Sequence, residues 1–105
     1  MEKPNLEYIK QLSGGDIEFE NKFIGILKEE FPQEKEEYTE LLSANNTDET
    51  ALIVHKLKHK LNILGLKKAY RLAVSYEEDL RRGDSGQKNE FAIVLETIEL
   101  YLKTI

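Results

Sequence analysis

The sequence lacks several features that define whole classes of protein. Its 105 residues include no cysteine, and their longest uninterrupted apolar run, Phe91 to Leu95, is short. The lack of cysteine excludes disulfide scaffolds, zinc ribbons and thiol catalysis, and it suits a reducing compartment. The apolar run is far below the roughly 18 residues that a membrane span needs. Residues 1–4 carry no apolar signal segment, so we expect a cytoplasmic protein with no membrane partner.

Negative charge is also missing from one part of the chain. No aspartate or glutamate occurs between Thr50 and Tyr76, where five lysines and one arginine lie together with both histidines, His55 and His59. We call residues 50–76 the basic island. It is either a solvated helix face or a positive field suited to an anionic ligand or an acidic partner. The net charge of −5 nevertheless argues against a nucleic-acid partner, which needs a basic surface.

Helical spacing and capping residues predict an all-α protein. Asp16 is placed as the N-cap of a helix that runs to about Phe31, where Pro32 interrupts it, and a second helix covers residues 33–43. Asn46 caps a helix over residues 48–64, which Gly65 ends. Further helices cover residues 67–82 and, after a turn at residues 83–86, the segment whose apolar stripe runs from Phe91 to Ile105. No segment alternates with a period of two long enough to suggest a strand.

Short connections between these amphipathic segments predict one domain, residues 1–105, that forms an antiparallel up-and-down four-helix bundle with a short extra N-terminal helix. Met1 at the start favours a free-standing protein. The residues predicted to face inward are Phe19, Phe23, Ile26, Leu27, Tyr38, Leu41, Leu42, Ala69, Leu72, Ala73, Tyr76 and Leu80, together with the last helix's stripe of Phe91, Val94, Leu95, Ile98, Tyr101, Leu102 and Ile105.

The helix over residues 48–64 carries its histidines away from the predicted core. Its apolar stripe consists of Val54, Leu57, Leu61 and Leu64, and the centre of that stripe lies about 140° around the helix from His55. The residues that share the opposite face form one exposed polar patch: His55, Lys58, His59 and Asn62. His55 is therefore a surface histidine, either without a role or available to a ligand.

Two further kinds of chemistry are weighed for these histidines. His55 and His59 have the i, i+4 spacing that offers two imidazoles to one metal ion, and no third ligand lies nearby in the sequence. A carboxylate from another helix would be needed to complete such a site, so this alternative stays open, but no metal and no cofactor are predicted. Hydrolase-type catalysis needs an orienting acid and an oxyanion site, and no pattern indicates either. No glycine-rich phosphate loop is present.

The segment around His55 resembles the histidine-containing phosphotransfer (HPt) family, whose pattern is H-x-L-K-G followed after five residues by Gly. The matching residues are His55-Lys56-Leu57-Lys58 and, after six intervening residues, Gly65. The likeness extends to Leu12-Ser13-Gly14-Gly15-Asp16 with Phe19, and to Leu72–Gly83 with Glu77, Glu78, Leu80 and Arg82. One position departs from the family, because His59 stands where the pattern has its first glycine.

The resemblance implies a phosphoryl carrier in a two-component phosphorelay, with no turnover of its own. His55 is then the phospho-acceptor, and Lys58 is the cation beside the phosphoryl group. The implied partners are response-regulator receiver domains and a hybrid sensor kinase, and any metal ion belongs to the receiver. Asn62 is expected to contact the phosphate or the partner. Leu52 and Leu66 are expected to provide either apolar docking surface or core packing.

The His59 departure leaves two interpretations of the same fold open. In the first, the imidazole of His59 crowds His55 or donates a hydrogen bond to a phosphoryl group, and the chain transfers phosphate. In the second, the chain is a degenerate HPt-like module that binds receivers or kinases without phosphotransfer.

Overall fold

Five helices make up the computed structural model, which describes residues 2–105. They are α1 (Glu7–Ser13), α2 (Ile17–Ser43), α3 (Thr47–Ile63), α4 (Lys67–Arg81) and α5 (Lys88–Leu102). No strand occurs in this part of the chain, so the prediction of an all-α protein is confirmed. Within residues 2–105, no helix combines the length and the apolar character that crossing a membrane requires.

The four longer helices form a closed ring. Helix α2 packs on α3, α3 on α4 and α4 on α5, and α5 returns to α2. Helices α2 and α5 run in opposite directions, because Lys28 contacts Ile105 while Lys35, further along α2, reaches back to Glu99. The short helix α1 packs on α2. This is the predicted helical bundle with a short extra N-terminal helix.

Local signals fix the ends of the helices where they were predicted. The side chain of Asp16 accepts the backbone N–H of Phe19 at 3.1 Å, and Asn46 accepts that of Glu49 at 3.2 Å. Gly65 has a φ of +75° just after α3, which favours glycine, and a Cβ there would lie 2.5 Å from the amide of Asn5. The predicted bounds of α3 and α4 are correct to one residue.

Proline 32 does not interrupt its helix, contrary to the sequence prediction. Helix α2 is continuous over 27 residues, although Pro32 has no N–H and leaves the carbonyl of Lys28 without its usual helical partner. On either side of this point Phe31 and Tyr38 are buried, with 1% and 4% of their surface exposed. Burial of two aromatic side chains, about 2–3 kcal/mol each, outweighs the roughly 3 kcal/mol cost of an internal proline.

The core follows the predicted stripes in α3, α4 and α5 but not in the first part of α2. The stripe residues of α3 are all buried, as are the main ones of α5, whereas Phe19 and Ile26 are 43% and 46% exposed. Helix α2 is about 40 Å long and α3 is about 26 Å long. The short turn between them places the C-terminal end of α2 beside the N-terminal end of α3. The N-terminal part of α2 therefore extends beyond α3, so the inward placement of Phe19 and Ile26 is wrong.

An aromatic cluster fills the centre of the bundle. Tyr38, Tyr76 and Phe91 come from α2, α4 and α5, and their ring centroids lie 5.2–6.3 Å apart. The two tyrosine hydroxyls share one hydrogen bond of 2.7 Å, and burial raises the pKa of both. Because Tyr76 is fixed in this cluster, the next residue of α4, Glu77, has a defined position against α3.

Candidate functional site

The exposed histidine lies where the helical pattern predicts. Val54, Leu57 and Leu61 are at most 1% exposed, whereas 48% of the His55 side chain is accessible. His55 therefore lies on the outer face of α3, between the core and solvent, and the prediction that it is not a core histidine is confirmed.

A carboxylate from α4 contacts this imidazole. The Nδ1 atom of His55 lies 3.1 Å from Oε1 of Glu77, whose side chain is only 11% exposed. An ionised carboxylate can only accept a hydrogen bond, so the ring proton is on Nδ1, and this N–H donates the hydrogen bond to Glu77. The lone pair then belongs to Nε2. The arrangement is that of an oriented nucleophile with a carboxylate behind it.

Two cations hold the same carboxylate in its charged form. Lys58 Nζ donates to Oε1 of Glu77 at 3.2 Å, and the Arg81 guanidinium donates to Oε2 at 2.8 Å. Burial alone raises the pKa of Glu77, but the hydrogen bonds from Lys58 and His55 outweigh it, and the pKa is lower than its ordinary value of 4.5. We call these four residues the His55 cluster: His55, Lys58, Glu77 and Arg81.

Lys58 lies close to His55, as the sequence predicts, but it is not an exposed member of the polar patch. Its side chain is 13% exposed, and its Nζ lies 5.9 Å from the centre of the Tyr70 ring besides bonding Glu77. The helical period of α3 places Lys58 near the surface, but it does not include the effect of α4. The ammonium group of Lys58 turns inward because it pairs with Glu77 of α4. Lys58 and His55 share one carboxylate oxygen, so the ammonium group stays beside the imidazole.

The other two members of the polar patch differ in their distance from His55. The ring of His59 lies 5.1 Å from that of His55, centre to centre, at an interplanar angle of 89°. Asn62 is exposed but lies seven residues along α3, about 10 Å from His55 along the axis. The expected contact of Asn62 with the phosphate or the partner stays a prediction.

The two leucines expected near the patch have opposite positions. Leu52 is 55% exposed, one turn before His55, where it is available for docking. Leu66 is 3% exposed and belongs to the core, because it is the residue that precedes α4 and packs inward at the turn from α3. Of the two alternatives for Leu66, the docking role is therefore wrong.

The basic island is less positive around His55 than its sequence suggests. Lys60 faces α2 instead, where its Nζ lies 3.1 Å from Glu30 and 2.9 Å from Glu34. We call these three residues the Lys60 cluster. Lys58 is paired with Glu77, so the His55 cluster carries one more positive than negative charge when the imidazole is neutral. The remaining cations of the island are solvated: Lys56, Lys67, Lys68 and Arg71.

Sequence reasoning assigned no role to Glu77 or Arg81. Glu77 is the first acidic residue after the basic island, and it directly follows Tyr76 in the core stripe of α4. Such a position beside a buried stripe turns toward a neighbouring helix, and Arg81 follows at the i+4 spacing of an ion pair. Those two signals identify both residues, but their contact with His55 depends on the register of α4 against α3.

The metal hypothesis finds no third ligand in the structure. Glu77 brings a carboxylate to His55, but it is already engaged by three donors. Within residues 2–105, no group of three histidine, cysteine, aspartate or glutamate side chains converges in a way that could hold a metal ion.

Comparisons with known proteins give no match to this chain. No family model, no curated protein and no solved structure is similar to it. The likeness to the HPt family therefore stays a resemblance of the residues named above.

Proposed function

We propose that this protein is a phosphoryl carrier of a phosphorelay, which accepts a phosphoryl group on His55 from the phospho-aspartate of one receiver domain and passes it to the aspartate of another. The observation that carries the proposal is the anchoring of an exposed imidazole, through Nδ1, on a largely buried carboxylate. This contact leaves Nε2 as the nitrogen with a lone pair.

The transfer step needs no proton to leave the imidazole. The Nε2 lone pair attacks phosphorus, the bond between phosphorus and the aspartyl oxygen breaks, and the aspartate leaves as a carboxylate with the bonding electrons. The ring of His55 then carries a positive charge, with its proton still on Nδ1, and Glu77 compensates that charge. The reverse step restores the neutral ring when a second aspartate attacks.

The cations around Glu77 suit the rest of this step. Phosphoryl transfer passes through a loose transition state with charge on the equatorial oxygens, so positioning and nearby cations supply most of the catalysis. Lys58 and Arg81 keep Glu77 ionised, and Lys58 retains two further N–H groups beside the one on Glu77. A magnesium ion for the reaction comes from the receiver, and the protein alone has no turnover.

The partners in this proposal are receiver domains and a hybrid sensor kinase. Leu52, exposed one turn before His55, gives such a partner an apolar contact next to the reactive nitrogen. An apolar residue at the edge of a small polar site is typical of the centre of an interface.

A second candidate function is an interaction module that binds the same partners without transfer. The observation in its favour is the imidazole of His59, which lies against that of His55 where the resembling family has a glycine. In that case His59 would block the approach of a phospho-aspartate.

The experiment is transfer of labelled phosphate from phosphorylated receiver domains to the wild type, His55→Gln and Lys56→Gln. Lys56→Gln is the matched control, because it introduces the same residue at the neighbouring exposed position. We expect acid-labile, alkali-stable label on the wild type and on Lys56→Gln, and none on His55→Gln. Phosphoramidate, a small phosphoryl donor, is used in parallel so that the result does not depend on the choice of receiver.

Label that persists on His55→Gln would overturn the assignment of the acceptor. Absence of label on the wild type with both kinds of donor would overturn the carrier proposal and leave the interaction module.

A further inference from the structure

Beside His55, one exposed side chain has no partner of its own. The imidazole of His59 lies 5.1 Å from that of His55 and almost perpendicular to it, and it hydrogen-bonds to no other side chain or backbone group in residues 2–105. Lys58 and Arg81, the other donors of this region, both bond Glu77. His59 is therefore a donor beside His55 that bonds to no other group among the described residues.

Helix geometry directs this side chain toward the turn that carries His55. In an α-helix the side chains lean toward the N-terminus, so a residue at i+4 covers the turn that carries residue i. Glu77 holds the Nδ1 edge of His55 from the α4 side. The ring of His59 approaches from its own turn of α3, and the nitrogen of His55 that Glu77 leaves open, Nε2, belongs to the ring that His59 faces.

Building on the proposed function, we infer that His59 donates a ring N–H hydrogen bond to a phosphoryl group carried on Nε2 of His55. Either tautomer of a neutral imidazole carries one N–H, so the donor is present without a change of charge. A hydrogen bond to a doubly charged phosphoryl group is stronger than one to a neutral acceptor. His59 thus stabilises the phosphorylated state of His55, and the histidine in place of glycine is a specific feature of the site.

The test is the equilibrium constant for transfer from a phosphorylated receiver to four forms of the chain. His59→Phe keeps an aromatic ring against His55 but removes the N–H, and His59→Gln removes the ring but keeps an N–H donor. His59→Gly removes both. Relative to the wild type we expect the equilibrium constant to fall about fivefold in His59→Phe and His59→Gly, as for the loss of one exposed charge-assisted hydrogen bond. We expect His59→Gln to restore most of it.

The melting temperature of each form shows whether a variant has affected the fold instead; the site is exposed, so His59→Phe and His59→Gln should melt within a few degrees of the wild type. An unchanged equilibrium constant in His59→Phe would overturn the inference, and so would a higher one in His59→Gly, because His59 would then only obstruct the site. If neither the wild type nor any variant accepts label, the proposed function fails, which is a different result from a wild type that accepts label without help from His59.

Discussion

Helix α3 places one lysine against α2 and another against α4, and the two resulting clusters differ in what they leave accessible. In the Lys60 cluster a nearly buried ammonium group lies between two carboxylates, and no neutral polar group remains. In the His55 cluster the signs of the charges are exchanged, because one largely buried carboxylate accepts hydrogen bonds from two cations and an imidazole. The second arrangement leaves one nitrogen of a half-exposed ring free for chemistry.

Both central charges are largely buried, so the two clusters differ in the chemistry of the exposed partner, which is the carboxylate of Glu30 in one and the imidazole of His55 in the other. Lys60 and Glu34 are 9% and 17% exposed, so their pairing joins two helices and is inaccessible to a ligand. The central carboxylate of the other cluster, Glu77, is just as inaccessible, but its partner His55 is 48% exposed. A buried ionic anchor for an exposed group is the arrangement that orients a reactive side chain.

The largest effect is expected from removal of the central lysine on the α2 side. Lys60→Ala leaves Glu30 and Glu34 without their common cation, and we expect the free energy of unfolding to fall by about 3 kcal/mol. Phosphoryl acceptance by His55 should remain, because the ammonium group of Lys60 pairs with residues of α2 while Glu77 of α4 holds His55. Urea unfolding and the labelling assay measure the two properties separately. Loss of labelling in a folded Lys60→Ala protein would show that the clusters are not independent.

A smaller effect, mainly on transfer, is expected on the α4 side. Glu77→Gln keeps an acceptor for the Nδ1 proton of His55 but removes the negative charge that compensates the phosphorylated ring. We expect the transfer rate to fall about tenfold, which corresponds to about 1.4 kcal/mol. The matched control is Glu78→Gln on the exposed side of the same helix, which should transfer at the wild-type rate. Equal rates in both variants would remove Glu77 from the mechanism.

Lowering the pH measures how much the ionised form of Glu77 contributes to the stability of the fold. Because the folded-state pKa of Glu77 is below its ordinary value of 4.5, its ionised form stabilises the fold above that value, and this contribution is lost as the pH falls through the lower, folded-state pKa. The stability advantage of the wild type over Glu77→Gln should therefore shrink below about pH 4.5. Unfolding curves of both proteins between neutral and acid pH measure this difference, and a constant difference would contradict the lowered pKa.

The smallest effect separates the two carboxylates that face Lys60. Glu30 is 53% exposed, so Glu30→Gln should change the free energy of unfolding by no more than about 0.5 kcal/mol. Glu34 is largely buried, with one oxygen that has no partner among the described residues, and Glu34→Gln should have the larger effect. The two variants are compared in the same urea series. A larger effect of Glu30→Gln than of Glu34→Gln would mean that the exposed carboxylate of Glu30, and not the buried one of Glu34, provides the main partner of Lys60.

The predictions from sequence succeeded where the signal is local. Asp16, Asn46 and Gly65 end or begin helices through contacts within a few residues, and the 3.6-residue period correctly places Val54 inside and His55 outside. Each of these features depends on the residues of a single helix and its ends, so it can be predicted from the local sequence.

The predictions failed where a second helix decides. Pro32 remains inside α2 because its neighbours pack on other helices, and Lys60 faces acids that lie 26 and 30 residues earlier in the chain. Glu77 has no assigned role in the sequence because its contact with His55 depends on how α4 is seated against α3, which the Tyr76 packing fixes. The length and the composition of the helices do not determine the register of α4 against α3.

The central claim is that Glu77 holds the proton of His55 on Nδ1 and leaves Nε2 as the reactive nitrogen. Long-range proton–nitrogen NMR of the histidine rings, before and after reaction with phosphoramidate, measures this directly. We expect a proton on Nδ1 of His55 in the free protein and a phosphoryl group on Nε2 after reaction, with both assignments lost in Glu77→Ala. A proton on Nε2 in the free protein, or a phosphoryl group on Nδ1 or on no atom of His55, would contradict it.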